Sequence, residues 1–264
     1  MSFDENTGNG IVYLTAQNIH TPHAFTTRRG GVSQGIYSSL NLGINRGDAP
    51  AHVRENYNLV CGALGIEISD VVRSNQVHGA RVRGVTLEDR GELFKSTPPE
   101  ADGLITCDTG VALMVFTADC VPILLHDRVC GVIGAIHAGW RGTVLDIAGV
   151  AVQRMVDDFG CRRTDISAAI GPCISKCCYE TGQDVADALQ KTMGKAADNC
   201  ISVQGGRFMV NLKESNRLLL ERAGLIDVTI SDECTFCSND KYWSHRRTNG
   251  QRGSQAAVIV KHAG

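Results

Sequence analysis

Four apolar runs follow one another from Gly103 onward: Leu104 to Thr106, Val111 to Thr117, Ile123 to Leu125 and Val129 to His137. They are short, lack the polar alternation of a half-solvated strand, and are separated by turn-forming groups such as Asp108-Thr109-Gly110. Runs of this kind read as strands buried on both faces, which obliges the chain to cover a sheet on either side. A chain of 264 residues can do so. Surface scaling for its mass implies that roughly 70% of the unfolded chain's surface is buried on folding.

Other elements surround these strands. Arg28 to Gly43 is rich in Gly and Ser and reads as a loop, and a helix is predicted from Pro50 to Leu64 with Asp48 as its cap. Val71 to Val77 and Ala80 to Val85 read as strands around Gly79, which puts His78 at a bend. Apolar residues recur at helical spacing from Gly139 to Phe159, so the last of the four strands runs into a helix. Beyond it come a strand over Ile166 to Ile170, helices over Gln183 to Met193 and Leu212 to Ala223, and a final strand over Gln255 to Lys261. The mixture is α/β or α+β, and periodicity does not choose between them. With no internal repeat and no linker, a single domain over 1–264 is expected.

The 26 Lys and Arg against 28 Asp and Glu leave a formal net charge of −2, which removes the electrostatic basis for broad nucleic-acid or anionic-membrane binding. No apolar stretch reaches the roughly 18 to 20 charge-free residues of a membrane helix. The first residues lack the basic start and apolar run of a secretory signal, so the cytoplasm is the expected location. In that reducing compartment the 11 cysteines are buried apolar residues, metal ligands or nucleophiles rather than a disulfide framework.

Two polar groups close apolar runs: Asp119-Cys120 after Val111 to Ala118, and His137 after Val129 to Ile136. Buried polar groups need partners or ligands. If both runs end at one sheet edge, Cys120 and His137 meet there, with His78 as a third member. Three N and S donors suit a catalytic zinc site with its fourth position open, and a Cys–His nucleophile pair fits the same residues. Both readings stand at this point.

Gly139-Trp140-Arg141-Gly142 follows His137 at a predicted helix start, where Arg141 suits an anion and Trp140 a flat ring. Arg246 and Arg247, with Arg252, form a second basic group able to clamp a phosphate. Cys173, Cys177 and Cys178, with Cys234 and Cys237, have partial zinc-ribbon spacing. The first group has no two-residue gap, so these cysteines are expected to be structural.

Taken together, Asn75-Gln76-Val77-His78-Gly79, Thr117-Ala118-Asp119-Cys120-Val121-Pro122, His137-Ala138-Gly139-Trp140-Arg141-Gly142 and Ile170-Gly171-Pro172-Cys173, with Ser39-Leu40-Asn41-Leu42-Gly43, carry a resemblance. The chain resembles the family first described as multicopper polyphenol oxidoreductases, or laccase-domain proteins, and later as purine nucleoside phosphorylases and peptidoglycan editing factors. The resemblance runs from about Phe25 to the C-terminus. It implies an α+β domain with layered α/β/β/α architecture and mixed sheets, and a zinc site at His78, Cys120 and His137. Trp243-Ser244-His245-Arg246-Arg247 departs from the family's usual Phe-Ser-Tyr-Arg-Arg but leaves that site intact.

The implied activity is phosphorolysis of adenosine, inosine or S-methyl-5′-thioadenosine, with adenosine deamination as a side activity. Asp119 as a proton carrier and Arg141 as an anion-holding group are the candidate catalytic residues. Asn41, Gln76, Trp140, Arg246 and Arg247 are the candidate substrate contacts. The expected partners are purine nucleosides and phosphate, acted on by a monomer. Copper at the same residues, oxidising phenols, is the alternative, against which stand only 8 histidines with two in the motifs. A non-catalytic zinc protein binding peptidoglycan precursors is the other.

Overall fold

Alternate side chains of the apolar strands pack into different clusters, and this sets the architecture. Along Ala112–Thr117, Ala112 and Met114 enter one cluster while Leu113 and Val115 enter another. Along Val121–Asp127, Leu124 joins that second cluster from the opposite side while Ile123 and Leu125 enter a third. Two sheets therefore share the middle cluster, and each turns its outer face to helices. The computed structural model describes residues 2–91, 93–94 and 97–261; residue 1, the other gaps and 262–264, all within the expected 1–264 domain, lie outside the described residues.

The chain begins with β1 (Phe3–Gly8), β2 (Ile11–Ala16), β3 (His23–Thr26), α1 (Pro50–Leu64), β4 (Val71–Val72), β5 (Val82–Gly84) and β6 (Gly103–Thr106). It continues with β7 (Ala112–Thr117), β8 (Val121–Asp127), β9 (Val132–Ala138), α2 (Trp140–Val144), α3 (Ile147–Phe159) and β10 (Ile166–Ile170). Then come β11 (Glu180–Thr181), α4 (Gln183–Met193), β12 (Ile201–Gln204) and β13 (Arg207–Val210). The last are α5 (Leu212–Arg222), β14 (Asp227–Ile230), α6 (His245–Thr248) and β15 (Gln255–Val260).

One six-stranded sheet has the order β1-β2-β3-β15-β7-β4, the other β14-β10-β8-β9-β6-β5, and β11-β13-β12 form a small third. Each large sheet is mixed: β4 pairs parallel with β7, and β10 with β14, among antiparallel neighbours. Val53, Tyr57 and Val60 of α1 cover the first sheet. Ala151, Val152 and Met155 of α3 with Leu219 and Leu220 of α5 cover the second. The fold is α+β with α/β/β/α layering.

Several elements differ from expectation. Asp48 does not cap α1; its Oδ2 accepts hydrogen bonds from Ser33 Oγ (2.6 Å) and Asn41 Nδ2 (2.9 Å), and Ala49 is the cap position. The strand expected over Val71 to Val77 stops at Val72, after which the chain loops across to the second sheet. The single helix expected from Gly139 to Phe159 is two, because Asp146 turns left-handed (φ 55°) and caps α3 through Gly149 N–H at 3.1 Å.

Candidate metal centre and cleft

Two of the three expected ligands sit where the chain passes from one sheet to the other. His78 lies between β4 of the first sheet and β5 of the second, and Cys120 between β7 of the first and β8 of the second. His137 is the penultimate residue of β9, opposite Pro122 in β8. The expectation that Cys120 and His137 close two strands at one edge is thus met differently: Cys120 enters β8 as His137 leaves the antiparallel β9.

The donor atoms of His78, Cys120 and His137 all lie within 4.8 Å of one another. Cys120 Sγ is 4.0 Å from His78 Nε2, and the two imidazoles meet edge to face with centroids 4.9 Å apart. Fully buried Asp102, absent from the sequence reading, organises all of this. Its Oδ1 is 2.8 Å from His137 Nδ1, leaving Nε2 for the cluster, and its carboxylate accepts the N–H groups of Val77 (3.1 Å), His78 (3.0 Å) and Gly79 (2.8 Å). Those bonds hold His78 at a positive φ of 61°, which a non-glycine residue seldom adopts. A carboxylate behind a ligating histidine is the usual outer partner of a metal site.

Close approach explains two glycines of the third motif. A Cβ on Gly139 would stand 3.0 Å from His78 Cδ2 and 3.2 Å from Cys120 Sγ, and one on Gly142 would stand 3.0 Å from the Gly79 carbonyl oxygen. Burial works against ionising Cys120, yet the imidazoles of His137 and His78 bring its thiol down to about 6. Burial likewise opposes charge on His137, but the Cys120 sulfur and Asp102 raise it to about 9. Against the cost of burial, hydrogen bonds from His137, Gly79 and Val77 hold the Asp102 carboxyl below the usual range. A preformed set of two nitrogens and an easily ionised sulfur fits a borderline-soft ion such as zinc.

The cluster opens onto a cleft of about 210 Å³ whose wall includes Arg46, Arg73, Gln76, Phe116 and Arg252. Burial and the nearby Arg46 lower the Arg252 guanidinium to about 10. Arg252 Nη1 reaches Gly253 O and Ser254 Oγ, but its buried Nε has no hydrogen-bond partner among the described residues. Two guanidinium groups on the wall of one cleft, Arg46 and Arg252, suit an anion.

The expected catalytic and substrate residues divide. Gln76 lines the cleft, but its amide spans the backbone of Phe116, with Nε2 donating to O at 2.8 Å and Oε1 accepting from N at 2.7 Å. Asn41 is fully buried and holds Gly43 N, Ser254 N and Asp48, behind the cleft. Asp119 commits both oxygens: Oδ1 to Thr235 Oγ1 (2.6 Å), Oδ2 to Ser244 Oγ (3.1 Å) and Arg246 N (2.6 Å). Exposed Arg141 stacks 4.3 Å over half-buried Trp140. Arg246 lies over Tyr179 and donates to Glu180 O at 2.8 Å, whereas Arg247 donates to Phe236 O at 3.1 Å. Arg46 and Arg73 carried no sequence signal.

The family model for multi-copper polyphenol oxidoreductase laccase matches residues 22–262. A Deinococcus radiodurans protein named purine nucleoside phosphorylase is 42% identical over 253 residues, covering 96% of this chain and 94% of that protein. A protein named adenosine deaminase RL5, from an unknown prokaryotic organism, is 33% identical and covers 93% of this chain and 96% of its own. The crystal structure of YlmD from Geobacillus stearothermophilus superposes with a TM-score of 0.93 at 34% identity, covering 99% of both chains. By sequence and fold together, the chain belongs to the multi-copper polyphenol oxidoreductase laccase family.

Proposed function

We propose that this protein is a zinc-dependent purine nucleoside phosphorylase with adenosine deaminase side activity. The observation that carries the reading is the cleft itself, which joins a three-donor cluster to the Arg46–Arg252 pair. Relatives named purine nucleoside phosphorylase and adenosine deaminase support the same chemistry.

In phosphorolysis a phosphate oxygen bonds to the anomeric carbon of the ribose while the bond to the purine nitrogen breaks and the base takes up a proton. Arg252, with Arg46, holds the phosphate and offsets its charge as it attacks. His78, Cys120 and His137 hold the zinc, which when bound supplies Lewis acidity at the cleft wall. Asp102 fixes the His137 ring and the His78 loop. Arg141 over Trp140 and Arg246 over Tyr179 form two flat, cationic pairs, which in this reading contact the purine. Gln76, Asn41 and Asp119 act in this reading as positioning residues, since their polar atoms are held by the protein.

Adenosine, inosine and S-methyl-5′-thioadenosine are the proposed nucleosides. In the same reading the chain works as a monomeric single domain in the cytoplasm. No helix among the described residues is long and apolar enough to cross a membrane. Copper oxidation of phenols fits less well, because only two of the histidines among the described residues reach the cluster.

Product analysis with zinc-loaded protein tests the proposal. Adenosine or inosine should yield free base and ribose 1-phosphate only when phosphate is present, and the His78→Ala variant should yield none. Zinc-loaded protein that neither releases base nor deaminates adenosine would overturn it.

A further inference from the structure

The cysteines expected to be structural are drawn together on the far side of Asp119. The sulfurs of Cys177, Cys178, Cys234 and Cys237 all lie within 4.8 Å of one another. Cys177 and Cys178 are 3.5 Å apart, Cys177 and Cys237 3.8 Å, and Cys178 and Cys237 3.4 Å. Four thiolates around one tetrahedral ion with bonds of about 2.3 Å have sulfur–sulfur edges of about 3.8 Å. The separations are close to that edge and well beyond the roughly 2.05 Å of a disulfide.

The backbone also suits ligation. A tight turn, in which Cys178 N–H and Tyr179 N–H both donate to Ser175 O, sets the adjacent Cys177 and Cys178 side by side without a two-residue gap. The sequence rule that disfavoured this group assumed such a gap. On the opposing loop Ser238 N–H donates to Cys234 O, closing Cys234-Thr235-Phe236-Cys237 into a second turn. Ser175 N–H points at Cys234 Sγ at 3.3 Å. An amide donor at a sulfur favours its thiolate. Cys177 and Cys237 are exposed, so an ion can enter.

We propose that Cys177, Cys178, Cys234 and Cys237 bind a second, structural metal ion, a thiophilic divalent ion such as zinc, in a closed four-sulfur site. The ion fastens the 175–179 turn to the 234–237 turn. Tyr179 follows the first, and from the second Thr235 reaches Asp119 while Arg246 lies over Tyr179. It thereby braces one wall beside the cleft. That consequence rests on the function proposed above, whereas the metal count does not.

Metal analysis of the full chain, purified anaerobically with zinc, tests this. We expect about two zinc ions per chain in the wild type and about one in each of Cys120→Ala, Cys178→Ser and Cys237→Ser. Cobalt(II) added to metal-free Cys120→Ala should give the intense thiolate-to-cobalt absorption of a tetrahedral sulfur site, an arm that needs no change in the four cysteines. The proposal is overturned by about one zinc per chain in the wild type with none in Cys120→Ala. It is equally overturned if cobalt-treated Cys120→Ala lacks the absorption, or if the denatured chain is lighter by the hydrogens lost in disulfide formation. None of these readouts depends on nucleoside turnover, so failure here and failure of the phosphorylase reading are separable.

Discussion

Asp102 and His137 are joined twice: the carboxylate Oδ1 is 2.8 Å from His137 Nδ1, and the Asp102 carbonyl accepts the His137 backbone N–H at 2.7 Å. One residue thus fixes both the ring and the strand end that carries it, while its second oxygen holds the turn bearing His78.

Asp102→Asn keeps the shape but turns one acceptor into a donor. Outer partners of this kind contribute about 10- to 100-fold in metal affinity, and a loss of that size is expected in competition with a zinc chelator. Unchanged affinity would mean that Asp102 serves the fold alone.

Gly139→Ala probes the close approach directly. Its φ of −70° is ordinary for alanine, so the backbone tolerates the change and the new methyl meets only the site. Overpacking costs about 1–3 kcal/mol, which should appear as weaker zinc binding together with a Tm lowered by a few degrees. A lowered Tm with normal zinc affinity would contradict the packing account.

Arg252→Met removes the half-buried cation while keeping much of the side-chain volume. Loss of a desolvated charge contact of about 2–5 kcal/mol should raise KM for phosphate at least tenfold and leave KM for the nucleoside nearly constant. Initial rates with each substrate varied in turn separate the two.

Asn41→Ala should act on stability rather than on KM. Three hydrogen bonds are lost at a fully buried position, and a cost of about 2–4 kcal/mol is expected in urea unfolding. A folded variant with a selectively raised nucleoside KM would restore Asn41 as a substrate contact.

His126 sets an acid limit remote from the metal centre. It is 7% exposed and accepts the His20 N–H, and burial together with neighbouring His20 brings its imidazole down to about 4. Because the folded value lies below the unfolded one near 6.5, its contribution is full above pH 6.5 and is lost as pH falls toward about 4. Urea unfolding at pH 7.5 and 4.5 should show a pH-dependent loss on the order of 2–3 kcal/mol that His126→Gln reduces. An identical loss in the variant would place the acid sensitivity elsewhere.

The buried strands were legible because Leu113, Met114, Ile123 and Leu124 leave no polar face, and the helix from Pro50 to Leu64 was legible to the residue. The β1–β2 hairpin carried a readable signal in Asn9-Gly10, whose φ values of 48° and 82° suit a two-residue turn, but polar FDENTG hides the strand before it. Cys120 and His137 stood out as polar groups closing apolar runs, and His78 as a residue at a bend between two strands. Asp102 did not, because its significance lies in N–H groups 23 to 25 positions away, a relation that only the folded chain creates. Arg252 acquires its character from burial beside Arg46 in the same way.

His78 and Cys120 both ride on crossings between the two large sheets, and this ties metal loading to the order of assembly. The donors themselves rest on the second sheet: Cys120 directly precedes Val121, which pairs with Ala138 beside His137, and Asp102 beside β6 holds the His78 turn. Both crossings therefore converge on one edge of one sheet, and an ion held by all three donors would pin the chain where it leaves the first sheet. During refolding, zinc uptake here should follow formation of the second sheet, making a bound ion a timestamp of that sheet's closure.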